Sequence, residues 1–296
     1  MEGVSLKLLI VGFDAADYFT IKKHGFFKEW RNKSNWGCLK SIHSNDGLPH
    51  TGPMWSTIYT GVTPGKHGIV TGGWLLEHKN WGDLKVSTVF EERQDLRWGL
   101  MTLPLTYPAN GRSVNGWVVS GFPVPNKEVA TGLRSVGVDE SLVTDFCPDV
   151  LNNYEDLKEL SGKEKEEFIL EKGLEVDRSK LDLAKKLPGV DVLFFGFMQL
   201  DRMGHFGGEE SFLESYRKSE KLLLDTFDFF KPDELLIVSD HGMSNNFRRH
   251  NTDGFWLHWK SNSGLEEQDV EKSIVSVRKM IEGILGGEVN GGKNIE

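Results

Sequence analysis

Asp14 in V-G-F-D, Asp201 and His205 in L-D-R-M-G-H, Asp240 and His241 in I-V-S-D-H-G-M, and His250 in R-R-H-N-T-D-G are the side chains most able to do chemistry. Each has an ordinary reading by itself. An Asp and a His four apart make a surface ion pair, an Asp before a turn caps a helix, and a single His is commonly a packed side chain. Together they are three carboxylates and three imidazoles, a donor set that suits a pair of divalent cations, zinc first and manganese as the alternative. Two such ions bring four positive charges, of which the three carboxylates offset three. The set therefore has room for one deprotonated hydroxyl.

His50–Ile69, H-T-G-P-M-W-S-T-I-Y-T-G-V-T-P-G-K-H-G-I, supplies a hydroxyl in Thr51. Pro53 suits the first position of a helix and Gly61 the left-handed residue after it, which predicts a short helix over Met54–Thr60. Thr51 then stands just before a helix N-terminus, where unpaired N–H groups and the helix dipole favour an anion. The simpler reading is that Thr51 only caps this helix.

The elements that must position these residues read as an α/β fold. Leu6–Phe13, Asp191–Phe197 and Glu234–Val238 are short apolar runs, each with Asp or Asp and His at or just beyond its end. Such runs are buried strands. Trp98–Leu103 and Trp117–Val119 are weaker strand candidates. Gly208–Phe230, Lys163–Leu187 and Val270–Leu285 carry helical periodicity. Strands alternating with helices predict a mostly parallel sheet covered on both faces, with ligands at the carboxyl ends of its strands. Asp14, Asp201, Asp240 and His241 fall there. One catalytic domain over residues 1–285 is expected, with 105–160 as a cap or loop excursion and 286–296 as a loose tail.

The chain has 296 residues, 27% charged, and a net charge of −9. An acidic balance argues against a nucleic-acid scaffold but not against a small phosphate-bearing substrate. No apolar run approaches the ~18 residues that span a bilayer, so no membrane partner is expected. With no leader-like N-terminus and two isolated cysteines, Cys38 and Cys147, the expected location is cytoplasmic, with both thiols reduced.

The His50–Ile69 segment resembles the nucleophile motif of nucleotide pyrophosphatases and type I phosphodiesterases in the alkaline phosphatase superfamily, T-F-P-N-H-Y-T-L-x-T-G-x-x-P-x-x-H-G-I. Thr51, Pro53, Thr57, Thr60, Gly61, Pro64, His67, Gly68 and Ile69 keep its register without a gap. The other motifs follow in family order, from G-F-D to the late His250. The resemblance implies an alkaline phosphatase-like three-layer sandwich and a metal-dependent hydrolase. It also implies a phospho-threonine intermediate on Thr51. One metal would be held by Asp201, His205 and His250, and the other by Asp14, Asp240, His241 and the Thr51 oxygen. His258 competes with His250 for the last ligand position. Lys66 and His67 are structural in this reading.

The chain also departs from the family. Gly72 stands where nucleotide diesterases carry an Asn that contacts a phosphate oxygen. Thr71, a backbone N–H or a residue from elsewhere would have to replace it. Trp55 and Trp74 could stack on a flat leaving group or simply pack, and His50 could reach substrate or only solvent. The expected activity is phosphodiester hydrolysis. Phosphomonoester or phosphonate hydrolysis on the same site is the alternative, and a non-catalytic metal- or nucleotide-binding protein is the distant one.

Overall fold

The computed structural model describes residues 6–72, 79–121, 160–243, 249–261 and 268–286. Its centre is β1 (Leu8–Phe13), wholly buried. This strand pairs in parallel with β5 (Val192–Phe197) on one side and β6 (Glu234–Val238) on the other. Beyond β5 lie β3 (Trp98–Leu103) and the edge strand β4 (Gly116–Ser120), again parallel. Beyond β6 lie β9 (Asp253–Lys260) and β2 (Ser34–Lys40), each antiparallel to its neighbour. Two short strands, β10 (Gln268–Asp269) and β11 (Lys272–Ser273), border β2. The sheet is therefore mostly parallel, with one antiparallel strand inserted.

Alternation along β1 divides the core between two faces. Leu9, Val11 and Phe13 point into one apolar cluster. There they meet α1 (Tyr18–His24), α6 (Gly162–Ala184), α7 (Gln199–Phe206) and α8 (Glu209–Phe230) through Ile21, Leu181, Leu200 and Phe212. Leu8 and Ile10 point into the other, under α3 (Thr51–Thr60) and α9 (Val277–Ile284), with Trp55, Ile58, Val277 and Ile281. A run buried on both faces is what a continuous apolar stretch encodes. The result is a three-layer α/β/α sandwich.

Several expected boundaries shift. The helix expected over Val270–Leu285 is helical only from Ile274, because its first residues add β11 to the sheet edge. The expected excursion over 105–160 contains β4, while residues 122–159, and with them Cys147, lie outside the described part, as do Trp74 and residues 287–296 of the expected tail. Cys38 is a buried free thiol. Among the described residues no helix is long and apolar enough to cross a membrane.

One glycine fixes the approach of α3 to the sheet. A Cβ on Gly12 would lie 2.0 Å from the far edge of the Trp55 indole. Gly12→Ala therefore forces α3 off β1. It should destabilise the fold by about 1–3 kcal/mol, as overpacking does, read as a lower urea midpoint with an unchanged slope. A midpoint equal to wild type would show that the helix yields freely.

Candidate metal centre and active site

Asp14 leaves the carboxyl end of β1 and is fully buried. Its backbone N–H donates to the Phe197 carbonyl at 2.9 Å, tying it to the end of β5. Its Oδ2 accepts from Trp55 Nε1 at 3.1 Å. Trp55 is thus a buried residue that orients Asp14, and the idea that it stacks on a leaving group is corrected. Its ring has no exposed face.

Asp240 and His241 follow β6 and are also fully buried. Asp240 Oδ1 accepts from the Ala15 N–H at 3.3 Å, and its carbonyl accepts from the Ser41 hydroxyl. His241 Nδ1–H donates to the Gly242 carbonyl at 3.1 Å. That leaves Nε2 as a lone-pair donor. It faces Asp240 Oδ2 at 3.2 Å, Asp14 Oδ1 at 3.4 Å and Thr51 Oγ1 at 3.4 Å.

Asp201 and His205 lie one turn apart on α7, with His205 Nε2 3.3 Å from Asp201 Oδ1. His250 arrives on a two-residue strand, β8 (His250–Asn251), paired with β7 (Gly242–Met243). Its Nδ1–H donates to the Pro49 carbonyl at 2.8 Å. Its Nε2 then faces Asp201 Oδ1 at 3.2 Å and His205 Nε2 at 2.9 Å. The His241 and His250 rings stack at 3.8 Å, so the two halves of the cluster touch. His258, the competitor for His250, sits mid-strand on β9 and pairs with Glu234 at 2.6 Å, away from the cluster.

Ligand atoms of Asp14, Asp240 and His241 all lie within 4.8 Å of one another, as do those of Asp201, His241 and His250. His205 joins the second group through its contacts with Asp201 and His250. The residues fit cations on a simple test. Asp14 Oδ1 and Asp240 Oδ2 are buried oxygens without a hydrogen-bond donor, and both face His241 Nε2 in the cluster. Burying anionic oxygens unpaired is costly. Without a cation, burial and then the nearby Asp201 carboxylate push Asp14 well above the carboxylate range, while burial and then Asp14 do the same to Asp240. Burial and then His250 hold His241 well below the imidazole range, so its Nε2 is unprotonated. For Asp201, burial raises the pKa, but hydrogen bonds from His205 and His250 outweigh it and hold the carboxylate ionised.

Thr51 is the first residue of α3, which begins three residues before the expected Met54, and His50 is the cap. Pro53 falls in the first turn, where no N–H is needed. Gly61 takes the left-handed conformation at φ 69° that ends the helix. Thr57 and Thr60 are buried and donate to the Pro53 and Ser56 carbonyls at 3.0 and 2.7 Å. Buried His67 contacts the Thr57 hydroxyl at 3.1 Å, within the helix packing rather than at the cluster. The sequence had signalled neither the carbonyls of Pro49 and Gly242 that set the two imidazoles nor the Trp55–Asp14 bond. Backbone partners leave no trace in residue type.

A three-layer α/β/α sheet with carboxylates, imidazoles and a helix-start threonine at its carboxyl edge has the architecture of alkaline phosphatase-like hydrolases. The chain belongs to the type I phosphodiesterase / nucleotide pyrophosphatase family, whose profile matches residues 6–286. It is accordingly a phosphoric ester hydrolase of that type. No curated protein matches the sequence significantly. Among solved structures the fold is similar to murine ectonucleotide pyrophosphatase / phosphodiesterase 5, with a TM-score of 0.59 and 10% identity over 97% of both chains. An inactive variant of that murine protein in complex with AMP superposes equally well, covering 97% of this chain and 98% of that one. The human protein gives 0.59 at 12% identity over 97% of each chain.

Proposed function

We propose that the chain hydrolyses phosphodiesters and nucleotide pyrophosphates through a phospho-threonine on Thr51, with two divalent cations as cofactors. The observation that carries this reading is the pair of donor-less buried oxygens, Asp14 Oδ1 and Asp240 Oδ2, that meet His241 Nε2 beside the Thr51 hydroxyl. Asp201, His205 and His250 would hold one cation. Asp14, Asp240 and His241 would hold the other, with Thr51 Oγ1 beside them. Zinc is the first choice for such an oxygen and imidazole set, and manganese the second. Bound there, the cations would neutralise the carboxylates, lower the pKa of the adjacent hydroxyl and offset charge on the phosphate.

The residues then do the following. Thr51 Oγ1 attacks phosphorus and the ester oxygen opposite it leaves, which gives a phosphorylated threonine. Water cleaves the new Oγ1–P bond and restores the hydroxyl. Thr51 and Gly52, at the start of α3, offer their backbone N–H groups to the non-bridging oxygens, as helix starts do, while Pro53 has none and the Met54 N–H is taken by the His50 carbonyl. Family membership favours a small nucleotide-like phosphate ester as substrate, and the AMP complex of the murine structural relative is consistent with it.

The diester reading predicts that, in zinc-supplemented buffer, kcat/KM for bis(p-nitrophenyl) phosphate exceeds that for p-nitrophenyl phosphate by at least about tenfold, ~1.4 kcal/mol in the barrier. The opposite ranking would assign the site to monoesters.

A further inference from the structure

We propose that Asp17 is a positioning residue of the metal centre: through Asn251, its carboxylate holds the β7–β8 ribbon that sets His241 and His250, and so decides how tightly the cations are bound. This rests on the reading of the cluster as a two-cation centre and adds to it a residue that acts through others.

By position Asp17 is the cap of α1. Its Oδ1 accepts from the Thr20 N–H at 2.7 Å. Capping uses only that one oxygen. The other, Oδ2, accepts from Asn251 Nδ2 at 3.0 Å, across 234 positions of sequence. Asp17 is 2% exposed, and its own N–H donates to the Tyr216 hydroxyl on α8 at 2.8 Å. A carboxylate this buried is fixed by its donors and fixes them in turn. The Asn251 amide is spent at both ends, because its Oδ1 accepts from the Asp253 N–H at 2.7 Å, where β9 begins.

Asn251 is the residue after His250. In the β7–β8 ribbon it pairs with Gly242, the residue after His241. A Cβ on Gly242 would lie 2.3 Å from Asn251 Oδ1 and 2.7 Å from Asp17 Oδ2. Glycine there lets the Asp17–Asn251 pair close over the rung. The Gly242 carbonyl is the acceptor that sets His241 Nδ1. Each strand of the ribbon has two residues, too few to hold a register unaided. The Asp17–Asn251 bond ties the ribbon to α1. The same connection starts at Asp14 and gives the Ala15 N–H to Asp240. Residues 14–17 therefore reach ligands of both cations and hold them relative to one another.

A polarity swap in the full chain tests this. Asp17→Asn keeps an oxygen for the Thr20 N–H but turns an amide NH2 toward that of Asn251. Asn251→Asp keeps an oxygen for the Asp253 N–H but sets two carboxylates face to face. The double variant Asp17→Asn/Asn251→Asp restores one N–H···O bond with its direction reversed and the net charge unchanged. The readouts are zinc affinity by competition with a chromophoric chelator, the visible spectrum of the cobalt-substituted protein, and melting in chelator. Each single variant should bind at least one cation about 10–100-fold more weakly, the range for losing a group that orients a ligating histidine, and its cobalt spectrum should change. The swap should return affinity and spectrum toward wild type, a non-additivity that independent sites do not show. A residue that only stabilised α1 would lower the melting temperature and leave zinc affinity and cobalt spectrum as in wild type. That result would overturn the assignment, and so would a swap no better than the singles. If Asp17→Asn does not fold, Asn251→Asp against the swap makes the same comparison. Wild type that binds no zinc at the cluster overturns the two-cation reading and this inference with it. Wild type that binds two ions, with Asp17→Asn binding both as tightly, overturns this inference alone.

Discussion

Thr51→Ala should lower kcat/KM by at least about a thousandfold, ~4 kcal/mol in the transition state, while the protein keeps its fold and its cations. The geometry separates these effects. The Thr51 hydroxyl lies 3.4 Å from His241 Nε2, and the helix it begins has His50 at its cap position. Its loss should therefore cost less than ~1 kcal/mol of stability. Thr51→Ser keeps an attacking oxygen and should retain more activity than alanine. The neighbouring hydroxyls cannot substitute, because Thr57 and Thr60 are buried and already donate to the helix backbone. Steady-state kinetics with metal analysis on the same preparations check this. Alanine turning over near wild type with zinc bound would remove Thr51 from the chemistry.

Asp240→Asn should have an effect of similar size on activity and the opposite sign on the stability of the metal-free protein. Asp240 is fully buried, and its Oδ2 has no donor. Removing that charge takes away an anionic ligand, so zinc binding weakens and turnover falls by on the order of 10²–10³-fold, as for other lost charged site groups. In chelator the calculation reverses. Wild type must then protonate Asp14 and Asp240, whose pKa values burial pushes well above the carboxylate range, or bury them charged beside Asp201, and an amide at 240 removes one of those costs. The melting temperature of chelated Asp240→Asn should match or exceed that of chelated wild type. With zinc, wild type should melt higher than the variant, because a ligand that binds only the folded state stabilises it. A variant less stable than wild type in chelator would mean that the site is not built around cations.

How much of this could be read from sequence depends on where the information sits. Leu6–Phe13, Asp191–Phe197 and Glu234–Val238 are legible because a strand buried on both faces writes an unbroken apolar run. β9 was not expected. Its residues D-G-F-W-L-H-W-K mix polar and aromatic side chains, since it sits between β6 and β2 with His258 paired to Glu234. The helix expected over Val270–Leu285 is shorter in the structure because Val270 and Lys272 satisfy a helical pattern that the sheet edge overrides. For the site, types and order of residues were enough to collect Asp14, Thr51, Asp201, His205, Asp240, His241 and His250. The choice of His250 over His258 was not decidable in one dimension. It depends on the Pro49 carbonyl and on the short β7–β8 ribbon. The sequence leaves Trp55 open between stacking and packing for the same reason, because whether an indole stacks on substrate or orients a carboxylate is decided by which face of α3 it occupies. The packing of the His50 ring against Gly72 is a contact between backbone space and a ring, which no spacing rule encodes.

The stereochemical course at phosphorus tests the central claim most directly. A nucleoside phosphorothioate diester, chiral at phosphorus, is hydrolysed by the zinc-loaded protein in heavy-oxygen water, and the configuration of the product is read by phosphorus NMR. Attack by Thr51 followed by attack of water inverts phosphorus twice, so the account predicts net retention. Net inversion would mean that water displaces the leaving group in one step, and the phospho-threonine would be ruled out.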